Sequence, residues 1–103
     1  MASETFEAVL DEALGDPRVE RSQMMGFPCA KVNGKIFVSD DDGALVLKLP
    51  RERVEQMIAA GEGEPFDPLG NGRVMKQWVR VPNPGEDAPA LADEAREFVA
   101  AGG

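Results

Sequence analysis

The sequence predicts an α+β domain, in which an antiparallel sheet of about four to five strands forms two layers with helices. Helices are expected at both termini, with one more inserted before the last strand. Both ends of the chain carry apolar residues at helical spacing, and the middle carries short alternating stretches joined by tight turns. The chain has 103 residues, the size of one small domain, so residues 1–103 are assigned to a single domain.

Residues 3–14 have the pattern of an amphipathic helix. Apolar side chains recur every three to four positions, and the opposite face is acidic. Ser3 is suited to the N-cap and Gly15 to the C-cap. Pro17 then ends the helix, because the residue before a proline avoids helical geometry. The polar residues 18–23 follow as a candidate strand.

A β-hairpin is predicted by the stretch CAKVNGKIFVS. Asn33 and Gly34 suit a type I′ turn, in which both central residues need positive φ. In that register Ala30 faces Phe37. A second tight turn is predicted at SDDDG, and the alternation in ALVLKL predicts a strand whose leucines face inward.

The remainder of the chain predicts two helices and one strand. Residues 50–60 are expected to form a helix, followed by a Gly/Pro-rich loop over residues 61–72. The last predicted strand is RVMKQWVRV, residues 73–81. Asp87 is suited to cap a final helix, because apolar side chains recur after it at helical spacing.

Charge and composition exclude several classes of function. The formal net charge is −8, and the acids concentrate in the two predicted terminal helices, which leaves the middle of the chain close to neutral. There is no histidine and one cysteine, so the chain contains no Ser-His-Asp or Cys-His site and no internal disulfide. We therefore expect no catalytic activity, no cofactor and no metal.

Location follows from what the sequence lacks. No stretch approaches the roughly 20 apolar residues that a membrane span needs. Residues 1–20 do not have the basic start and apolar stretch of a signal peptide. A single cysteine fits a reducing compartment. We expect a cytoplasmic protein without a membrane partner, either a monomer or a weak dimer.

The candidate binding face surrounds the only tryptophan. Alternation along the predicted strand places Lys76, Trp78 and Arg80 on one face. Such a face can stack a base and hold phosphates. The favoured interpretation is that Trp78 packs under a terminal helix, while Lys76 and Arg80 pair with the acids of that helix. The full candidate set is Lys31, Lys35, Lys48, Arg73, Lys76, Trp78 and Arg80.

Two further features have structural interpretations. The stretch from Asp40 to Gly43 lacks the ligand spacing of a calcium loop and predicts a solvated acidic turn. Cys29 lies near Lys31 in sequence, but no histidine is available to activate it. We therefore expect Cys29 to be a small buried residue rather than a reactive thiol.

A spaced set of four stretches covers roughly residues 21–99. The stretches are RSQMMGFPCAKVNGKIFVS, LVLKLP, GEGEPFDPLGNGRVMKQWVRVP and LADEAREFV. Together they resemble the N-terminal domain of TfoX/Sxy proteins and the related MmcQ/YjbR-like group. One departure is that MMGF stands where the family usually has Met-Phe-Gly-Gly. TfoX regulators of competence carry a second, C-terminal domain, which lies outside the resemblance.

The resemblance implies an α+β fold and a small non-catalytic regulatory or adaptor role, exerted through contacts with another protein. For YjbR-like members it implies the alternative of DNA binding through a basic sheet face. The net charge of −8 disfavours nucleic acid. A continuous positive sheet face would support DNA binding, whereas a face cancelled by the acidic helices would support a protein partner.

Overall fold

The computed structural model describes residues 3–24, 26–67, 70 and 72–103. Its helices are α1 (Glu4–Ala13), α2 (Arg51–Ala59) and α3 (Ala88–Ala100), and a short 3₁₀ turn spans Gly85–Asp87. Its strands are β1 (Val19–Met24), β2 (Phe27–Val32), β3 (Lys35–Asp41), β4 (Ala44–Lys48), β5 (Glu64–Pro65) and β6 (Trp78–Val81).

The strands form one antiparallel sheet in the order β1-β2-β3-β4-β6-β5. The terminal helices, the antiparallel sheet and the helix before the last strand confirm the predicted fold class. The sheet has six strands rather than four to five, because the two-residue strand β5 pairs with β6 at one edge while β1 closes the other.

All three helices pack on one face of the sheet. A single core cluster joins Phe6 of α1, Met57 of α2 and Ala95 of α3 to buried strand residues. Residues directly opposed across neighbouring strands share a face. Val38, Leu47 and Val79, which are opposed in register and belong to this cluster, define what we call the helix face.

The opposite side of the sheet carries Cys29, Val46 and Arg80, and we call it the open face. None of these residues belongs to the core cluster, and no helix of the described residues packs on this side. Each strand therefore sends alternate side chains into the core and onto a surface that the described helices leave uncovered.

The predicted hairpin turn is confirmed by its backbone. Asn33 has φ 52° and Gly34 has φ 81°, as a type I′ turn requires. The β3–β4 turn repeats this geometry, with Asp42 at φ 52° and Gly43 at φ 93°. Asparagine, aspartate and glycine tolerate the left-handed region better than other residues, so both turns match their sequences.

The hairpin register differs from the prediction at Phe37. Ala30 pairs with Val38 rather than with Phe37, and Lys31 pairs with Ile36. Phe37 is therefore the extra residue of a β-bulge, fully buried and part of the core cluster. The bulge shifts the alternation by one position, so Val38 faces the helices instead of the open face.

The last strand is shorter than predicted. Only Trp78–Val81 pair in the sheet, while the segment 73–77 runs along its end. The Leu49 N–H donates to the Gln77 carbonyl at 3.0 Å, and the Trp78 N–H donates to the Met75 carbonyl at 3.1 Å. Lys76 therefore lies in a turn, and strand alternation does not place it beside Trp78 and Arg80.

Asp40 joins the N-terminus of α1 to the β3–β4 turn. Its carboxylate accepts hydrogen bonds from the Ser3 N–H at 2.6 Å, the Ser3 hydroxyl at 3.2 Å and the Gly43 N–H at 3.1 Å. Ser3 in turn caps α1 by accepting from the Phe6 N–H at 3.1 Å. Asp40 is 3% exposed, so this part of the predicted solvated turn is in fact buried.

A second carboxylate, Asp16, links the α1–β1 connection to α3. It lies 2.6 Å from the Arg18 guanidinium and 3.7 Å from that of Arg96. Hydrogen bonds from the side chain and backbone of Arg18 lower the pKa of Asp16 from 3.8 to about 2.

We expect this ion pair to make the fold acid-sensitive in one window. A lowered pKa stabilises the folded state above about pH 4, and that contribution is lost as the pH falls through about 2. Asp16→Asn should therefore melt below the wild type at pH 7, and the gap should close between pH 4 and pH 2. Circular dichroism melts check this, with Glu12→Gln on the exposed side of α1 as the control. If the two melting temperatures differ as much at pH 2 as at pH 7, the stabilisation does not come from the Asp16 carboxylate, and this explanation is wrong.

Candidate functional site

The open face presents three rows of side chains that cross the strands. The middle row contains Ser22, Cys29, Ser39, Val46, Arg80 and Glu64. The row nearer the β2–β3 turn contains Glu20, Lys31, Ile36, Lys48 and Trp78. The row nearer the β1–β2 and β3–β4 turns contains Met24, Phe27, Asp41 and Ala44.

The centre of the open face is shielded, and parts of its outer rows are exposed. Cys29 and Val46 are buried although the described helices lie on the other side. Their short side chains are flanked by longer ones in the adjacent rows. Met24 and Phe27, by contrast, are 43% and 45% exposed. The centre of the face is thus buried, and large apolar side chains are exposed to solvent at one corner.

Arg80 is neutralised by acids of the sheet itself. Its Nε donates to Asp41 of β3 at 3.0 Å, and its Nη1 donates to Glu64 of β5 at 2.5 Å. The hydrogen bonds that Arg80 donates to Glu64 and Asp41 raise its pKa above the ordinary value. The sequence interpretation expected these acids to come from a terminal helix, but they come from the sheet: Glu64 lies directly opposite Arg80 on the adjacent strand β5, and Asp41 reaches it from β3, on the far side of β4.

Trp78 lies on the open face rather than under a terminal helix. Val79 takes the helix face, so alternation turns the indole to the other side. The Phe66 ring lies 6.4 Å from the indole, tilted by 47°. The Lys48 Nζ lies 5.9 Å from the ring centroid, within cation–π range. Trp78 is therefore half-buried among side chains of its own face.

The predicted binding residues do not form one patch. Lys31, Lys48, Trp78 and Arg80 share the open face. Lys35 opposes Val32, which belongs to the helix-face core, so it lies on the other side. The remaining two members are exposed in the segment before β6; they are Arg73 and Lys76.

Acids balance the cations of the open face along the described strands. Glu20 lies directly opposite Lys31, and Asp41 and Glu64 hold Arg80. Lys48 faces the indole instead of an acid. The face therefore offers no continuous positive surface, and the cancelling acids come from the strands rather than from the helices.

Sequence reasoning missed the exposed corner formed by Met24 and Phe27. These residues oppose each other across the β1–β2 turn. The sequence held a signal for this corner, because MMGF places large apolar residues on both sides of a glycine, the residue that most often marks a tight turn. Sequence reasoning also missed Asp41 and Glu64 as partners of Arg80, since both are far from Arg80 along the chain.

Cys29 is buried in the middle row beside Ser22. Burial raises the pKa of its thiol, while a hydrogen bond with Ser22 and the charge of Lys31 oppose that shift. Because the thiolate is the nucleophile, a raised pKa together with burial lowers reactivity.

We expect Cys29 to resist thiol reagents while the chain is folded. Ellman's reagent at pH 8 should label about one thiol per chain in 8 M urea, and label the folded chain at least tenfold more slowly. The unfolded protein is the control for reagent and stoichiometry. Rapid labelling without denaturant would show that the centre of the open face is accessible.

A cleft of about 460 Å³ lies on the other side of the molecule, between α2, α3 and the segments that flank β5 and β6. Its base contains Met57 and Leu91. Arg53 of α2 donates to Glu94 of α3 across it at 2.8 Å. The rest of its charged lining is acidic, and the described residues that line it include no serine, threonine, cysteine or lysine.

In the described part of the chain, no group of three or more His, Cys, Asp and Glu residues is placed to hold a metal ion. Among the same residues, no helix has the length and apolar character needed to cross a membrane. Comparisons with protein families, with curated proteins and with solved structures found no match to this chain.

Proposed function

We propose that this chain is a small non-catalytic domain that binds another protein through the open face. Its role is regulatory or adaptor-like, as the resemblance to the TfoX N-terminal domain implies, and the free buried thiol of Cys29 suits a cytoplasmic setting. The observation that carries the proposal is the charge balance of the face. Arg80 is already paired with Asp41 and Glu64, so few cations remain for phosphates.

The composition of the open face supports a protein partner. Protein interfaces are enriched in aromatic residues, methionine and arginine around a centre that lacks charge. Here Cys29 and Val46 lie near the centre, while Met24, Phe27 and Trp78 lie in the outer rows. Large apolar side chains that are exposed together on a folded domain often mark a surface that binds a partner.

A non-catalytic role fits the polar groups of the face. The Ser39 hydroxyl donates to the Pro28 carbonyl at 3.2 Å, and Ser22 interacts with the Cys29 thiol. Among the described residues, neither hydroxyl is hydrogen-bonded to a carboxylate or an amine that could activate it, and the chain has no histidine.

DNA binding is the alternative, and Lys31, Lys48 and Trp78 are the residues that favour it. Affinity for DNA grows with the number of phosphates contacted, and two cations supply few. The net charge of −8 adds a general repulsion. In low-salt anisotropy titrations with single- and double-stranded DNA, we expect no binding tighter than about 100 μM. Micromolar binding that Lys31→Glu/Lys48→Glu abolishes would establish the DNA-binding role instead.

The protein-binding role is tested with two photo-crosslinking positions. Phe27 on the open face and Leu14 beside α1 are both 45% exposed and both apolar. A benzophenone amino acid at either position should be equally accessible to solvent. In cells that produce the chain, we expect crosslinked protein from position 27 and little from position 14. Crosslinks from position 14 alone, or from neither position, would contradict the proposal.

A further inference from the structure

We infer that the protein that covers the open face is a second copy of this chain. The inference rests on the proposed function, because it names the occupant of the same surface. It is drawn from the exposed apolar groups next to the face, which lie at two diagonally opposite corners of the sheet.

The first corner lies at the β1–β2 turn, at one edge of the sheet. Met24 and Phe27 are opposed there, and each exposes more than two fifths of its surface. Among the described strands, β1 is at the edge of the sheet. This corner therefore projects an apolar pair from the edge of the open face.

The second corner lies at the start of β6, near the other edge. It contains Phe66, Trp78 and the backbone of Met75, which connects them. The Met75 N–H donates to the Phe66 carbonyl at 3.0 Å, and the Met75 carbonyl accepts from the Trp78 N–H at 3.1 Å. Met75 is 42% exposed. Strands β1 and β6 both begin at the end of the sheet that carries the β2–β3 turn. Trp78 is the first residue of β6 and Met24 is the last residue of β1, so they lie at opposite ends of the sheet.

Diagonal corners suit a two-fold dimer. A two-fold axis in the interface plane, oblique to the strands, places the first corner of each copy on the second corner of the other. The contact is isologous, so both apolar corners are buried in each copy. The strands of the two sheets then cross near right angles, an established geometry of sheet packing.

Charge permits this contact and disfavours self-association through the acidic terminal helices. The acidic residues of α1 and α3 lie beyond the helix face, on the side of the sheet away from the contact. A helical layer of about 10 Å separates many of them from the open face, and the Debye length at physiological salt is about 8 Å. Added salt should therefore strengthen the dimer by screening the residual repulsion between two chains of charge −8.

The size of the face predicts a weak dimer. Five full strands spaced about 4.8 Å apart and about 17 Å long bury roughly 1,000 Å² over both copies. That area is close to the lower limit for specific complexes. Pairing through the free edge of β1 is less favourable, because Glu20 and Arg21 place charges there and Arg21 is paired with Glu7 of α1.

Sedimentation equilibrium between 10 μM and 1 mM tests the inference, at 150 and 500 mM NaCl. We expect a dimer with a dissociation constant of about 100 μM at 150 mM NaCl, tighter at 500 mM. Phe27→Glu and Met75→Glu should each weaken it at least tenfold. Leu14→Glu is the matched control, since it makes the same change at an equally exposed residue. Thermal melts confirm that each variant is folded.

A chain that stays monomeric at 1 mM in both salts overturns the inference, as does a dimer that Leu14→Glu breaks and Phe27→Glu leaves intact. Failure of the proposed function gives a different result. If the chain is monomeric but position 27 crosslinks to a different protein, the self-association inference fails and the protein-binding role stands. If there is neither a dimer nor a crosslink from position 27, both fail.

Discussion

Replacing Phe37 by alanine should lower the free energy of unfolding by about 3–5 kcal/mol. The same replacement at Phe27 should cost less than about 1 kcal/mol. The two phenylalanines lie on adjacent strands of one hairpin, and the same side chain is removed at both positions. They differ in burial, because Phe37 is fully buried and Phe27 is 45% exposed.

The large effect at Phe37 has two sources. Without the ring, folding buries less apolar surface and so gains less hydrophobic free energy. The substitution also leaves a cavity that the close-packed core fills only in part. Phe37 is also the extra residue of the β-bulge, which holds Ala30 opposite Val38. Its burial therefore supports the register that divides the helix face from the open face.

Urea unfolding measures both variants, with the denaturant slope as a check that the compactness of the two states is unchanged. A small domain has only about 5–15 kcal/mol of stability in total. Phe37→Leu, with an expected loss of about 1–2 kcal/mol, therefore gives a second value should Phe37→Ala fail to fold. Equal losses at Phe37 and Phe27 would show that the two sheet faces are not distinct in burial.

Asp40→Asn should destabilise the domain by about 2–4 kcal/mol. The carboxylate accepts three hydrogen bonds in a buried site, and bonds to a charged group contribute about 1.5–3 kcal/mol each without full additivity. An amide nitrogen in place of one oxygen faces donors instead of accepting from them. The N-terminus of α1 and the β3–β4 turn should therefore both loosen.

Asp42→Asn provides the matched control in the same turn. Asp42 is exposed and has φ 52°, a conformation that asparagine adopts readily. Its replacement should change stability by less than about 0.5 kcal/mol. Hydrogen exchange adds a local measurement, since Asp40→Asn should reduce protection of the α1 amides more than that of α3. Equal protection loss across both helices would contradict the proposed tie between Ser3 and Asp40.

Local chemistry was enough to predict much of the fold. Asn33-Gly34 specified a type I′ turn, and the alternating leucines of β4 specified an inward face. Ser3 was correctly assigned as the cap of α1. These features depend on residues within a few positions of one another, so periodicity and turn preference are sufficient to identify them.

The features that were not predicted depend on contacts between distant residues. A bulge at Phe37 is decided by the space that the helices leave in the core, and nothing in the hairpin sequence shows that space. The segment before Trp78 alternates like a strand, yet its carbonyls at Met75 and Gln77 accept from Trp78 and Leu49 instead. The acids that hold Arg80 come from strands that only the sheet order brings together.

The two faces of the sheet thus have separate physical roles. The helix face holds the large buried side chains that stabilise the fold. The open face holds a neutralised arginine, a buried thiol and exposed apolar corners, which contribute little to that core. A surface of this kind is available for association, and substitutions at its exposed corners should leave the fold intact.

Hydroxyl-radical footprinting in cells and on the dilute purified chain tests this division most directly. Met24, Phe27, Met75 and Trp78 are reactive side chains beside or on the open face, Leu14 reports on the helix side, and buried Met57 is the internal control. If the open face is a protein-binding surface, oxidation of Met24 and Met75 should fall at least threefold in cells that overproduce the chain to about 1 mM, well above the expected dissociation constant of about 100 μM, while oxidation of Leu14 stays unchanged. Equal oxidation of Met24 and Met75 in both samples, or protection of Leu14 alone, would contradict the binding role of the open face.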